Sequence, residues 1–423
     1  MFLQAVTTIT LLTNISRISI ITTTEFIYTV LLIIMWTIMI WITSIIAKII
    51  SKVLYVLNIG SGGTLPGYIT LKLFPSILTK FSGKFKSIIL ITGTNGKTTT
   101  TKIITSILRD KGYKVISNSS GSNLERGIVT TLLNNTDFFG NLKGDIAVLE
   151  VDEFNLPITY SKLGANHIVL LNLSRDQLDR YGETDTILRK WVDMFNTTKP
   201  TSYYTTIHCY KDQREFMSLR TSISKKYPIL YFESNSNMTS ESKIHSLHNS
   251  INAAAAYSVL SNFNISLGEV RVSLNSMEHA YGRGEEVTYK QVGFQIYLAK
   301  NPSSYNNNLS HLITSAPNFD AIYFILNDKL PDGRDVSWIY DIDPKMLLKF
   351  IGKRSIYISG TRYLDMAIRL QYAGAFIDKL NININHEKIL NKIIKSGYKS
   401  VVIFPNYSSM LEIRKILVGR SIL

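Results

Sequence analysis

The chain of 423 residues has a single cysteine, Cys209. One thiol excludes a disulfide within the chain and excludes a four-cysteine zinc site, so no zinc is expected. Acidic side chains are scarce beside basic ones: 31 Asp and Glu against 46 Lys and Arg, a formal net charge of +15. Part of that excess is spread over the last third, from Lys345 to Arg420. It suits a solvated surface, or attraction to anionic partners such as nucleotides, pyrophosphates or phospholipid headgroups. Nucleic acid is not expected as a partner, because no helix-turn-helix, zinc finger or ribonucleoprotein-type aromatic motif is present. Low-complexity tracts are lacking too, and 45% of the residues are hydrophobic. That composition describes a globular chain long enough for two or three domains.

Charge is wholly absent from one long run. Residues 26–47 read FIYTVLLIIMWTIMIWITSIIA, about the length that a membrane-spanning helix needs. Lys48 and Lys52 follow it, which places the bulk of the chain on the cytoplasmic side if the run spans. A buried core helix is the alternative. The run is too long for a cleaved signal peptide, and no small-residue cleavage site follows. Residues 1–50 are therefore taken as an N-terminal extension. The glycine and proline cluster from Asn58 to Gly67 reads as a linker.

Beyond it, SIILIT at 87–92 has the branched apolar character of a buried parallel strand. The loop Gly93-Thr94-Asn95-Gly96-Lys97-Thr98-Thr99 follows, and then a helix to Asp110 that stops at Gly112. Strand-like runs at 113–117, 145–151 and 167–173 alternate with helical stretches, which predicts a parallel sheet wrapped by helices. The polar stretch 200–246 reads as an irregular or small-strand insertion, and 249–260 as an alanine-rich helix. A second alternating series, with strands at 294–299, 321–326, 355–359 and 400–404, marks a separate domain. The expected division falls between residues 51–284 and residues 285–423.

A strand, a glycine turn carrying Lys and Thr, and a helix form a phosphate site: backbone N–H groups and the helix N-terminus face the anion. Lys97 can reach the terminal phosphates of ATP, and Thr98 can ligate Mg²⁺. Ile91 stands where the usual phosphate loop has its first glycine. Glu150 and Glu153 end a strand expected beside the loop, the edge where open α/β sheets bind ligands, and can serve Mg²⁺. Asn172, Asp176 and Asp179 crowd the end of the next strand.

These residues resemble the Mur ligase family. GTNGKTT, the glutamates of LEVDE, NLSRDQLDRYG, HNSIN and YGRGE stand in the order seen in Mur ligases and folylpolyglutamate synthases. More narrowly the chain resembles the MurT-type subunits of lipid II isoglutaminyl synthase. The narrower match rests on DQLDRYGE, with Gln177 where amino-acid-adding relatives have histidine, on Lys300-Asn301-Pro302, and on DGRDVSWIYD at 332–341. Gly360-Thr361-Arg362, Arg369 to Gly374 and Pro405-Asn406-Tyr407 extend it. The resemblance implies an α/β fold with a Mur ligase-type ATP-binding domain over 51–284 and a smaller Rossmann-like α/β domain over 285–423, and an ATP-dependent carbon–nitrogen ligase of peptidoglycan synthesis. In it the D-glutamate α-carboxylate of the lipid II stem peptide is phosphorylated and then amidated to D-isoglutamine. The ammonia comes from a separate glutaminase subunit of the GatD type. It further implies that Lys97 and Thr98 serve phosphate and magnesium, Glu150 the metal, Asn249 and Asn252 the adenine side, and Arg283 the nucleotide at the hinge. Asp335, chosen over Asp332 and Asp341, is expected to approach the glutaminase and orient its histidine. The alternatives are an amino-acid-adding Mur or folylpolyglutamate-type ligase, and a membrane-tethered ATPase without ligase activity.

Overall fold

The computed structural model describes residues 64–118, 122–137, 140–173, 184–198, 204–234, 247–276, 283–329 and 331–419, with Leu31 and Ile45. The run 26–47 lies outside the described residues apart from those two. Among the described residues no helix is long and apolar enough to cross a membrane.

Two sheets organise the chain. The first holds β1 (Ser87–Thr92), β2 (Val115–Ser117), β3 (Ile146–Glu150), β4 (His167–Leu170), β5 (Thr206–Tyr210) and β6 (Ile229–Phe232). Their order is β2-β3-β1-β4-β5-β6, and every pairing is parallel. β1 is buried along its whole length. Ile88 and Leu90 pack into the apolar cluster on one face, and Ile89 and Ile91 into that on the other. A strand covered on both sides has no polar alternation to show, which is why SIILIT is continuous.

β5 and β6 lie in the stretch expected to be an irregular or small-strand insertion. They instead complete the main sheet beside β4. The supposed linker is also partly regular: Leu65–Leu73 is a helix with Pro66 in its first turn, where a missing N–H costs nothing. β4, expected over 167–173, stops at Leu170, so Asn172 sits beyond the ladder.

The second sheet holds β7 (Arg283–Tyr289), β8 (Val292–Tyr297), β9 (Ala321–Ile325), β10 (Ser355–Ser359) and β11 (Ser400–Pro405) in the order β10-β9-β11-β8-β7. Only β7 runs antiparallel to its neighbour, in a hairpin whose tight turn puts Lys290 and Gln291 at positive φ. Apolar clusters again cover both faces.

In the first sheet the chain leaves β1 for β2, returns to β3 beside β1, and crosses to β4 on its other side. That reversal opens a crevice at the carboxyl ends of β3, β1 and β4, the place where such sheets take ligands.

Candidate active site

The loop after β1 is held from the β4 side. Thr94 N–H donates to the Asn172 carbonyl at 2.9 Å and Asn95 N–H to Asn172 Oδ1 at 2.9 Å. Asn172 Nδ2 returns a bond to the Asn95 carbonyl at 2.9 Å. These three bonds fix the course of the loop. Gly93 and Gly96 stand at φ +133° and +91°, in backbone regions that favour glycine. A Cβ on Gly93 would stand 2.8 Å from the Asn172 carbonyl oxygen, and one on Gly96 would stand 2.1 Å from Asn252 Oδ1. Both glycines are there for close approach of backbone to backbone or amide.

The helix Lys97–Asp110 begins straight from Gly96 with no side-chain cap. First-turn N–H groups then face the crevice, with the positive end of the helix dipole behind them. Lys97 Nζ donates to the Gly93 carbonyl and pairs with Glu153 Oε1 at 3.0 Å. Both side chains are about nine-tenths buried, so each charge leans on the other.

From the β3 side, Glu150 is 1% exposed and directly faces Ile91 in the β1 register. Asn118, itself 1% exposed, brackets its backbone: Oδ1 accepts from Glu150 N–H at 2.8 Å and Nδ2 donates to its carbonyl at 2.9 Å. Glu153 is fixed by Trp191, whose Nε1 donates to the Glu153 carbonyl at 2.8 Å. Asn252 is buried in the helix Leu247–Leu260, which also carries Asn249. Arg283 opens β7. Asp176, Gln177 and Asp179 lie outside the described residues.

An amide pair joins the segment after β8 of the second sheet to this loop. Asn301 Nδ2 donates to Asn95 Oδ1 at 3.3 Å, and Asn95 Nδ2 approaches Asn301 Oδ1 at 3.5 Å. Asn301 is fully buried and caps the helix Pro302–Ser315, accepting from Ser304 N–H in a capping box. Asn118 and Asn301 were not singled out as site residues from the sequence. Only the Lys300-Asn301-Pro302 run pointed at the second.

Asp335 stands apart, on an exposed turn of the second domain. Its carboxylate accepts from Ser337 N–H at 2.8 Å. That bond, and the nearby Arg362 guanidinium, hold its pKa below the ordinary carboxylate value. Asp332 has another role: it accepts from the Ser408 N–H at 2.9 Å and from the Ser408 hydroxyl, tying its loop to the end of β11. Its burial pushes its pKa up.

A family model of the Mur ligase middle domain matches residues 91–274, and one of the MurT ligase C-terminal domain matches 298–410. The MurT subunit of lipid II isoglutaminyl synthase (glutamine-hydrolyzing) from Staphylococcus aureus is 28% identical over 83% of this chain and 92% of its own length. Its counterpart from Streptococcus pneumoniae is 26% identical over 86% and 94%. The chain thus carries a Mur ligase middle domain followed by a MurT ligase C-terminal domain, and is similar to MurT subunits over most of its length. Solved Mur ligases share the fold. MurF from Acinetobacter baumannii superposes with a TM-score of 0.62 at 16% identity, covering 83% of this chain and 79% of that one. MurF from Thermotoga maritima in complex with ADP does so with 0.60 at 15%, covering 82% of each.

Proposed function

We propose that the chain is the ATP-consuming subunit of a lipid II isoglutaminyl synthase, which converts the D-glutamate α-carboxylate of the stem peptide to the amide. The observation that carries this reading is the crevice at β3-β1-β4, in a chain whose C-terminal domain is of the MurT kind. The residues fit ATP and Mg²⁺. Gly93 and Gly96 let the loop backbone lie directly against Asn172 and Asn252, where a Cβ would clash, and so leave its N–H groups free to turn to the crevice. Lys97 already rests its ammonium on a backbone oxygen of that loop, where a phosphate oxygen would replace the carbonyl. Thr98, Glu150 and Glu153 supply the few oxygen ligands that Mg²⁺ takes from protein when phosphates and water supply the rest. Bound Mg²⁺ neutralises phosphate charge.

What the chain's own groups do follows from the chemistry. A carboxylate is a poor electrophile until a phosphoryl group makes it an acyl-phosphate. Ammonia then attacks the carbonyl carbon, phosphate leaves, and a proton is lost from nitrogen. Positioning and charge neutralisation carry the phosphoryl transfer. Lys97 holds the terminal phosphate, Glu150 and Glu153 hold the metal side, and Asn252 and Arg283 line the nucleotide.

In this reading the ammonia comes from another chain. Cys209 is the one cysteine of the sequence, it is 1% exposed, and burial pushes its thiol pKa up. It cannot serve as the thiolate nucleophile of a glutaminase. A GatD-type glutaminase docks on the second domain around Asp335, whose carboxylate orients the partner's histidine. An apolar surface beside that turn supports this. Tyr340, Leu364, Ile368, Tyr372 and Phe376 are 45–87% exposed. Leu364, Ile368 and Tyr372 are spaced by four on one helix, and the Tyr340 and Tyr372 rings lie 6.4 Å apart. Patches of this kind mark protein contacts. In this reading the run 26–47 anchors the enzyme at the cytoplasmic face of the membrane, where its lipid-linked substrate resides. Recovery of the full chain wholly in the soluble fraction would sink that part.

The test is reconstitution with lipid II, ATP, glutamine and the co-expressed glutaminase, read by mass spectrometry for acid-to-amide conversion. Asp335→Asn is expected to stop glutamine-driven amidation and spare amidation driven by added ammonia. Equal loss with both nitrogen sources overturns the role of Asp335. No amide from wild type with either source overturns the function.

A further inference from the structure

The helix Leu65–Leu73 is pinned by one face. Its buried residues are Pro66, Gly67 and Thr70. Gly67 lies so near the helix Glu125–Asn134 that a Cβ would stand 1.9 Å from the Arg126 carbonyl oxygen. Its N–H donates to Thr130 Oγ1 at 2.8 Å. A helix held this way ordinarily turns polar residues outward. This one turns out Leu65 and Tyr68, each 43% exposed, Leu73, 60% exposed, and Lys72. At about 100° per residue these four fall within an arc of about 140°. Lys72 holds its ammonium 4.9 Å over the Tyr68 ring. The helix Leu156–Leu163 extends the surface with Ile158, 43% exposed. Lys162, one turn on, donates to the Pro75 carbonyl at 3.2 Å and so joins the two helices on this side.

The charge around this face has one sign along the chain. Between Glu25 and Asp110 the sequence contains no Asp or Glu; of the basic residues in that interval, Lys72, Lys80, Lys84 and Lys86 belong to the segments that share the apolar cluster under this helix, whereas Lys97 is paired with Glu153 in the crevice and Lys102 and Arg109 ride the helix on the other face of the sheet. Two carboxylates from other segments pair with lysines here: Glu125 with Lys162 at 2.6 Å and Asp145 with Lys86 at 3.5 Å. The balance stays positive.

We infer that the face formed by Leu65, Tyr68, Lys72, Leu73 and Ile158 is a membrane contact seated on an anionic phospholipid surface. Leucines can enter the headgroup boundary, a tyrosine suits the interface, and a lysine stem can lie along the apolar side chains with its ammonium at the phosphates. Surplus lysines nearby add attraction to an anionic leaflet. A protein interface would be expected to keep lysine away from its centre. The run 26–47 ends only 17 residues before Leu65, so a bilayer that takes the run lies within reach of this face. The inference needs no ligase activity and stands or falls separately from it.

Cys209 is 1% exposed, so a cysteine introduced on the surface can be labelled selectively. The full-length Leu73→Cys protein, carrying a nitrobenzoxadiazole probe, is reconstituted into phosphatidylglycerol vesicles and into phosphatidylcholine vesicles. Met217→Cys, at a side chain 66% exposed on another helix, serves as the control. The expected result is a blue shift and several-fold weaker iodide quenching at position 73 in phosphatidylglycerol. The change is smaller in phosphatidylcholine and absent at position 217. Adding Lys72→Glu is expected to restore quenching. A probe at 73 that stays fully quenched while the protein floats with the vesicles overturns the inference. So does a probe already shielded before any lipid is added, because the chain or a second copy then covers the face.

Discussion

Gly93→Ala tests whether the phosphate loop is built for close backbone approach. Gly93 lies at φ +133°, and a Cβ there would meet the Asn172 carbonyl oxygen at 2.8 Å and the Asn172 nitrogen at 2.9 Å. Those atoms belong to the backbone that holds the loop, so they cannot swing aside. The backbone strain costs about 1–3 kcal/mol, and the overpacking about 1–3 kcal/mol more. Gly112 is the internal control. It closes the other end of the same helix at φ +85°, with nothing within 4 Å of a would-be Cβ. Gly112→Ala therefore costs about 1–2 kcal/mol from conformation alone. Calorimetric unfolding should show Gly93→Ala with the larger fall in Tm, by about 2–4 °C for each extra kcal/mol in a domain of this size. Titration with Mg-ADP should separate them further. Gly112→Ala binds within about twofold of wild type, while a shifted loop in Gly93→Ala weakens binding at least about tenfold, or 1.4 kcal/mol. Equal falls in Tm, or wild-type binding by Gly93→Ala, would refute the reasoning.

Lys97→Met is expected to abolish amidation and also to lower stability, because Glu153 is left as a buried carboxylate without its cation. The loss should approach about 3 kcal/mol, and adding Glu153→Gln should recover the Tm without recovering activity. Asn301→Ser keeps a good helix cap but is too short to hold Asn95. Amidation kcat should fall about tenfold with the KM for ATP changed by less than about twofold, whereas Ser304→Ala, which touches only the cap, should leave kcat unchanged. The buried pair His167 and His208, 3.0 Å apart, titrates low, at about 4 and about 3, because burial disfavours the imidazolium. The unfolded chain binds those protons at higher pH, so their contribution is complete above about pH 6.5 and is lost as pH falls toward 4 and 3. Denaturant midpoints measured across that window should fall with pH, and more shallowly in a His208→Gln variant.

How far the sequence could be read depended on the range of the interaction. Strands β1 and β3, the loop and the helix after it were legible because branched apolar runs, glycines and helical spacing are local signals. Ile91 occupies a β-sheet position facing Glu150, so the missing first glycine of the usual phosphate loop is simply strand. β5 and β6 were illegible for an equally physical reason. β5 puts Thr206 and Tyr210 at its partly exposed ends, and β6 leaves Leu230 and Tyr231 exposed at the sheet edge. Neither shows the buried run that marked the central strands.

The clamps that hold the site were barely visible in local pattern: Asn172 showed only as a polar residue at a strand end, Asn301 only within the Lys300-Asn301-Pro302 run, and Asn118 not at all. Asn118 acts on Glu150 from 32 residues away, Asn172 on Asn95 from 77, and Asn301 on Asn95 from 206. An asparagine amide has one donor end and one acceptor end, so it can bracket a single backbone unit or pair with its own kind. Nothing in its neighbours in sequence says which. What the three share is position: Asn118 and Asn172 sit just past the carboxyl ends of β2 and β4, and Asn301 just past β8. Asn118 and Asn172 lie within one turn of the edge where the first sheet reverses direction, and Asn301 brings the second sheet to the same loop. A loop that must keep its shape before any phosphate arrives needs neutral clamps of this kind, since a charged one would compete with the phosphate or repel it.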